Sequence, residues 1–130
     1  MVYLWLGHPE IALERAEHAL RHDPHYSIYT ALVWNVMEHA CFFLGKHDDA
    51  VSWAEGELQQ DPDAHGALRI GAAAAAHAGN LETARTLGRQ LQAVDPAFRV
   101  SRLGDYLGPY QKPEFVAKYA EGLRMAGLPE

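Results

Sequence analysis

GKHDDAVSWAEGELQQDP, residues 45–62, is the stretch that decides the fold, because its skeleton occurs three times in the chain. Counted from the glycine, an alanine follows five residues later, a small residue follows nine residues later, and Asp-Pro closes the unit. The same skeleton fits residues 7–24 and residues 79–96. The closing prolines, Pro24, Pro62 and Pro96, stand 38 and then 34 residues apart. A repeat of this length predicts a stack of helix pairs.

These spacings divide a single domain, residues 1–130, into four parts. Residues 1–24 form a truncated repeat, residues 25–62 a repeat with a longer first helix, and residues 63–96 a regular repeat. Residues 97–130 depart from the pattern, and we expect a degenerate helix followed by a capping helix, because an unpaired end unit would leave an apolar face in water. The first six residues read as a helix cut short, so we expect the natural protein to continue upstream.

Composition narrows the class of protein. A chain of 130 residues, 48% hydrophobic and 22% charged, can build one core without disulfides. Its single cysteine, Cys41, excludes an intramolecular disulfide and favours a reducing cytoplasm. The net charge of −6, with scattered basic residues, does not fit a nucleic-acid binder or a protein of anionic membrane surfaces. No apolar run is long enough to span a bilayer.

The repeat resembles the tetratricopeptide (TPR) family, whose pattern reads Trp-x2-Leu-Gly-x2-Tyr, then Ala-x3-Phe, then Pro. Trp34 stands 16 residues before Ala50, as that pattern requires. The Leu, Gly and Tyr places hold other residues (Met37, Glu38, Cys41), and the Phe place is small in all three units (Ala16, Ala54, Gly88). The resemblance covers about residues 1–100. It implies an all-α fold, a right-handed superhelix of about seven or eight helices with a C-terminal capping helix.

A second resemblance lies at the C-terminus. Residues 122–130, GLRMAGLPE, with Pro113-Glu114 before them, are similar to the end of bacterial class III adenylate/guanylate cyclases that carry TPR repeats. In such proteins a cyclase domain precedes the repeats. No cyclase domain is present in this sequence, so the resemblance implies a regulatory or interaction segment of a signalling protein and transfers no catalytic residue.

The functional surface expected of such a stack is a concave groove lined by the first helix of each pair. Six residues are candidates for contacting a protein or peptide in that groove: Asn35, His39, Phe43, Arg69, Ala73 and His77. The amide, guanidinium and imidazole groups can hydrogen-bond a peptide backbone or carboxylate, and the phenyl ring offers an apolar anchor. Solvated positions without a binding role are the alternative interpretation.

Other candidate chemistry is weaker. His18 and His22, four residues apart on one helix, could hold a metal ion, but no HExxH pattern surrounds them and a solvated helix face explains them more simply. Cys41 takes a core place, where a buried and unreactive thiol is expected. We expect Glu55 and Glu57 on the solvated side of their helix. No phosphate-binding loop or nucleophile motif is found, so the sequence predicts neither a catalytic residue nor a cofactor.

The N-terminal end predicts self-association. Half a helix pair cannot cover the apolar face of the next helix, so Tyr3, Trp5 and Leu6 are expected to join two copies as a dimer, unless the terminus simply frays as a monomer. Taken together, the sequence predicts a non-catalytic protein-interaction module, part of a bacterial signalling protein such as a nucleotide cyclase. A stand-alone TPR scaffold and a small metal- or ligand-binding helical protein are the alternatives.

Overall fold

The chain is built from helices alone. The computed structural model describes all 130 residues and contains no β-strand. Helix accounts for 72% of the chain, about twice the average of ordinary domains. The eight helices are α1 (Val2–Trp5), α2 (Pro9–His22), α3 (Ala31–Phe43), α4 (His47–Gln60), α5 (His65–His77), α6 (Leu81–Val94), α7 (Leu103–Leu107) and α8 (Pro113–Met125), with a 3-10 helix at Val100–Arg102. The predicted all-α class is confirmed.

The three copies of the sequence skeleton fold into the same local structure. Their glycines, Gly7, Gly45 and Gly79, have positive φ angles of 84°, 80° and 85°, a conformation that glycine adopts without steric cost. Each glycine precedes a helix of 14 residues, α2, α4 and α6. Each of these helices ends at the aspartate of an Asp-Pro pair, whose proline cannot continue the helical hydrogen bonding.

The first helix of the second unit is shorter than the sequence suggested. We expected it to begin near His25, but α3 begins at Ala31 and has 13 residues, as does α5. Thr30 is the reason: its hydroxyl donates to the His25 carbonyl at 2.6 Å and accepts from the Ser27 amide at 2.9 Å. These bonds hold a turn in place of helix. The four extra residues of this unit therefore lie in the loop before α3.

Helix α5 is the centre of the fold. It packs on α3, α4, α6 and α8, while α2 packs on α3 and the short α1 packs on α2. Its run Ala72–Ala76 is almost fully buried, because methyl side chains let four neighbouring helices approach closely. The C-terminal residues complete this core with large buried side chains, among them Phe98, Tyr119 and Leu123.

Helix α8 ends at a glycine in the left-handed conformation. Gly127 has a φ of 91°, and the Leu128 amide donates to the Leu123 carbonyl at 3.1 Å, which satisfies a carbonyl at the helix end. The Val100 amide then donates to the Pro129 carbonyl at 2.8 Å, which ties the last residues to the 3-10 helix. None of the helices combines the length and the apolar character that crossing a bilayer would require.

Candidate functional site

The six predicted groove residues lie on one face of two neighbouring helices. Three are on α3 and three are on α5, at intervals of four residues, so they form two parallel rows. We call this surface the receiving face. The structure shows what lies against it: the chain's own residues 97–130, which we call the C-terminal segment. Five of the six residues contact that segment, and Asn35 lies instead against Gly66 of α5.

Phe43 anchors the first turns of α8. Its ring stacks on the Phe115 ring, with centroids 4.6 Å apart and planes inclined by 9°. The Tyr110 ring approaches Phe43 from the connection before α8, at 5.5 Å. The neighbouring Phe42 is fully buried and contacts Tyr119 at 5.5 Å between centroids. Aromatic pairs of this kind add about 0.5–1.5 kcal/mol each beyond the area they bury.

His39 makes the polar contact at the centre of the receiving face. Its Nδ1 lies 2.8 Å from the Asn35 carbonyl, so this nitrogen carries the proton and donates. Its Nε2 is then free to accept the Tyr119 hydroxyl at 3.2 Å. Burial lowers the pKa of His39 to about 4, and the Arg69 charge acts in the same direction. The imidazole is therefore neutral near pH 7 and matches a hydroxyl donor on the docked helix.

Acid is expected to weaken this arrangement. Because the pKa of His39 is about 4 in the folded chain and about 6.5 in an unfolded one, the unfolded state binds the proton more tightly between those values. Stability is lost as the pH falls through this window, by up to about 3 kcal/mol. We expect His39→Gln to remove this loss, so the difference in unfolding free energy between wild type and variant should shrink between pH 7 and pH 4.

Urea denaturation at several pH values measures that difference. Tyr29→Phe, at a position 87% exposed, serves as a control that should follow the wild type at every pH. A constant gap between the wild type and His39→Gln would show that His39 does not titrate in this window.

Helix α8 approaches α5 most closely at Gly122. A Cβ atom placed there would lie 2.8 Å from the Ala73 carbonyl oxygen and 2.9 Å from the Ala73 Cα, closer than real Cβ contacts. Only glycine permits the observed helix separation. Leu123, the next residue, is fully buried. This contact accounts for the small residue that the sequence placed at Ala73.

A basic cluster lies at the end of the receiving face. His77 Nε2 donates to the Lys118 carbonyl at 2.8 Å, and its ring stacks on His47 with centroids 5.4 Å apart. The Lys118 ammonium donates to the Phe42 carbonyl at 3.2 Å and lies over the Phe42 ring. Burial lowers the pKa of Lys118, and burial and then the Lys118 charge lower the pKa of His47. These effects favour a neutral imidazole at His47.

The connection between α7 and α8 reaches the N-terminal helix. The Trp5 indole donates to the Leu107 carbonyl at 3.0 Å, and the Gln111 amide donates to the Trp5 carbonyl at 2.8 Å. Of the predicted self-association residues, Trp5 is thus partly covered by the chain itself. Tyr3 is half-buried beneath the Arg15 guanidinium, and Leu6 is 40% exposed.

Arg69 completes the receiving face. Its guanidinium lies over the Tyr106 ring, 5.3 Å from the centroid, in the part of the C-terminal segment that contains α7. Its Nε is buried without a hydrogen-bond partner. The face of the Tyr106 ring therefore stabilises the Arg69 guanidinium by a cation–π interaction, where other arginines pair with a carboxylate.

The histidines proposed as a metal pair bond to each other. The Nε2 atoms of His18 and His22 lie 3.2 Å apart, so one ring donates to the other. No third histidine, cysteine or acidic residue converges with them. Cys41 is buried, as expected of a core thiol, and burial raises its pKa to about 11.

Sequence reasoning missed a pair of buried carboxyl groups. Glu57, expected on the solvated side of α4, is only 5% exposed, and it accepts the Tyr26 hydroxyl at 2.8 Å. Glu38 of α3 is fully buried, and no N–H or O–H group of another residue reaches its oxygens. Burial, and then the neighbouring Glu57, raise the pKa of Glu38 well above the usual range, so Glu38 keeps its proton in the folded chain. The available signal was a charged residue in a place where the repeat pattern has glycine.

Comparison with known proteins adds no assignment. The scan against protein-family models finds no match for this chain, and the search of curated proteins finds no significant relative. The contacts between the receiving face and the C-terminal segment are therefore the basis for a functional proposal.

Proposed function

We propose that the chain is a non-catalytic protein-interaction module of the TPR type, in which the receiving face is the groove that holds a helix. Two observations support the TPR assignment: the three copies of the sequence skeleton adopt one local structure, and the six groove candidates form two rows on α3 and α5. The right-handed superhelix belongs to the same proposal.

The observation that carries the function is the seating of α8. An amphipathic helix lies against the receiving face through Phe115, Tyr119 and Gly122, which meet an aromatic ring, an imidazole and a methyl group in turn. These positions follow the spacing by which grooves read a helix, at i, i+4 and i+7. The receiving face is thus complementary to a helix, and in the resting chain that helix is α8.

The biological setting rests on the sequence resemblance. We propose that the module is the C-terminal regulatory part of a bacterial signalling protein, such as a nucleotide cyclase, and that it acts in the cytoplasm on a protein partner. A stand-alone scaffold would use the same face. A metal-binding role at His18 and His22 is the further alternative, and zinc calorimetry on the whole chain separates it from the other two.

A peptide experiment tests the receiving face. The probe is a fluorescein-labelled peptide with the sequence of residues 108–130, titrated into the whole chain and into Gly122→Val. A tethered α8 competes at an effective concentration of about millimolar, so the wild type should bind the peptide weakly. The variant loosens its own α8, and we expect it to bind the peptide at least about tenfold more tightly.

Glu121→Val is the matched control, because residue 121 is exposed on the same turn of α8 and should leave the wild-type behaviour unchanged. Circular dichroism checks that each variant stays helical. If Gly122→Val loses its helix, Phe115→Ala takes its place, since that change removes one ring from a half-buried position. A folded variant that does not bind the peptide would contradict the proposal.

A homodimer stays part of the proposal. Trp5 donates a hydrogen bond within the chain, so the exposed apolar side chains at this end are Val2 and Leu6, together with Leu32, which shares a cleft with Met1 and Tyr3. Sedimentation of the wild type beside a variant with Trp5→Ser and Leu6→Ser measures whether two copies associate through this end.

A further inference from the structure

The outer side of the molecule carries two open clefts that the receiving face does not include. One lies between α2 and α4 and has a volume of about 370 Å3; its apolar walls include Leu20, Trp34, Met37 and Trp53. The other lies between α4 and α6 and has a volume of about 700 Å3; it is lined by Glu55, Asp63 and Glu82 among others. We call them the aromatic cleft and the acidic cleft.

The two clefts are equivalent places in successive repeats. Four positions that line the aromatic cleft have counterparts 38 positions later in the acidic cleft, and three of them hold the same residue: Glu17, Leu20, Arg21 and Pro24 against Glu55, Leu58, Gln59 and Pro62. The clefts therefore lie side by side, separated by α4.

The acidic cleft has an unbalanced charge. Its lining contains three carboxylates and no lysine, arginine or histidine. The three ion pairs of the chain, at His8, Arg102 and Arg124, involve none of these carboxylates. Arg89 of α6 donates to the hydroxyl group of Thr86, which lines the cleft, at 3.3 Å. A ligand in this cleft would meet uncompensated negative charge beside the apolar side chains of Leu58 and Val94.

The aromatic cleft has a different character. Trp34 and Trp53 meet edge to face, with centroids 5.3 Å apart, and Tyr26 continues the cluster on the far side of Trp34. Glu17 and Arg21 stand at the opening, one turn apart on α2, so their charges offset each other. This cleft is suited to bind an apolar side chain, because binding would bury that side chain away from water.

We propose that the two clefts together bind an extended, basic peptide segment of a partner protein, with an apolar side chain in the aromatic cleft and lysine or arginine in the acidic cleft. The helix α4 between them is about 10 Å across, and an extended chain spans that distance in about three residues. A helical peptide laid across α4 would contact α4 itself, and its side chains would not reach the bottom of either cleft. The net charge of −6 disfavours a second copy of this chain as the occupant.

The test uses the whole chain and a labelled peptide, Gly-Leu-Ala-Ala-Lys-Lys-Gly, in which an apolar residue precedes two lysines by three and four positions. Fluorescence anisotropy at low salt should show saturable binding. Changing Glu55→Gln, Asp63→Asn and Glu82→Gln together should weaken it by about tenfold, because each of the three carboxylates contributes about 0.5 kcal/mol to the attraction of the two lysines. A peptide with glutamates in place of the lysines should not bind.

Two controls decide the interpretation. Glu14→Gln, Glu114→Gln and Glu121→Gln together remove the same charge from exposed positions outside both clefts, and this variant should bind like the wild type. Trp53→Ser should weaken binding without changing its salt dependence. Glu55, Asp63 and Glu82 are all exposed, so replacing these three carboxylates by amides leaves the core intact.

The proposal fails if the acidic-cleft variant binds the peptide as tightly as the wild type, or if the control variant weakens binding equally. It also fails if sedimentation shows a dimer of the wild type that Trp53→Ser dissociates, since a second copy would then cover the cleft. The α8 peptide experiment probes the opposite side of α3, so either proposal can fail while the other stands.

Discussion

Gly122→Ala is expected to lower the free energy of unfolding by about 3 kcal/mol, although alanine ordinarily stabilises a helix relative to glycine by about 1 kcal/mol. The added methyl would lie within 2.9 Å of the Ala73 backbone, and Ala73 is fully buried in the central helix α5. Neither helix can move away without opening the core. Urea denaturation followed by circular dichroism measures the change.

Gly104→Ala is the matched control for that substitution. Residue 104 lies in α7, and a Cβ atom there would have no neighbour within 4 Å. This variant should be as stable as the wild type or slightly more stable, because only the backbone preference of the residue changes. Equal stability of the two alanine variants would mean that α8 is not held against α5 at Gly122.

Glu38→Gln is expected to stabilise the chain, by about 2 kcal/mol at pH 8. Glutamine keeps the shape of the side chain and is neutral without taking a proton from solution. In the wild type, Glu38 must stay protonated in the folded chain, because burial and the neighbouring Glu57 raise its pKa. Removing a titratable group from such a site removes the cost of keeping it neutral.

The raised pKa of Glu38 determines how the stability of the folded chain changes with pH. The folded chain binds the Glu38 proton more tightly than the unfolded chain does, so stability falls as the pH rises above about 4.3, by at most about 1.4 kcal/mol per pH unit. This slope is opposite to that of His39 and dominates above about pH 6.5, where an unfolded histidine has already lost its proton. Glu38→Gln should abolish the alkaline slope.

Glu55→Gln provides the comparison for Glu38→Gln, since Glu55 is an exposed carboxylate on α4 and its loss should leave the slope intact. If Glu38→Gln destabilises the chain at pH 8, then Glu38 is ionised in the folded state and the interpretation of Glu38 as a neutral carboxyl group is wrong.

The regular part of the fold could be predicted from the sequence. Glycine at a fixed place, alanine five residues later and a closing Asp-Pro determine local geometry directly. Helices α2, α4 and α6 each begin two residues after the glycine and end one residue before the aspartate. The late start of α3 could not be predicted in this way. It depends on a hydrogen bond from Thr30 to His25, which competes with helix formation and has no periodic signature.

The groove candidates illustrate a different limit. Periodicity placed His39, Phe43 and His77 together on one face, and in the structure all three contact the C-terminal segment. Nothing in the repeat indicates that Tyr119, 80 residues beyond His39, returns to that face. Long-range docking depends on the shape complementarity of two surfaces, and the same is true of the buried proximity of Glu38 and Glu57. The spacing of residues along the sequence predicts neither the docking of Tyr119 nor the proximity of Glu38 and Glu57.

The bond between Trp5 and Leu107 joins residues 102 positions apart, and this has a consequence for how the molecule opens. A linear array of repeats frays independently at either end, because each unit contacts only its neighbours. In this chain α1 contacts the segment between α7 and α8. If α1 detaches, that segment loses its contacts with Trp5, and if the segment detaches, the Trp5 indole loses its hydrogen bond. Local contacts can assemble α2 to α6 quickly, whereas closure must wait for distant segments to meet. The chain should therefore show one slow, joint release of both termini in hydrogen exchange.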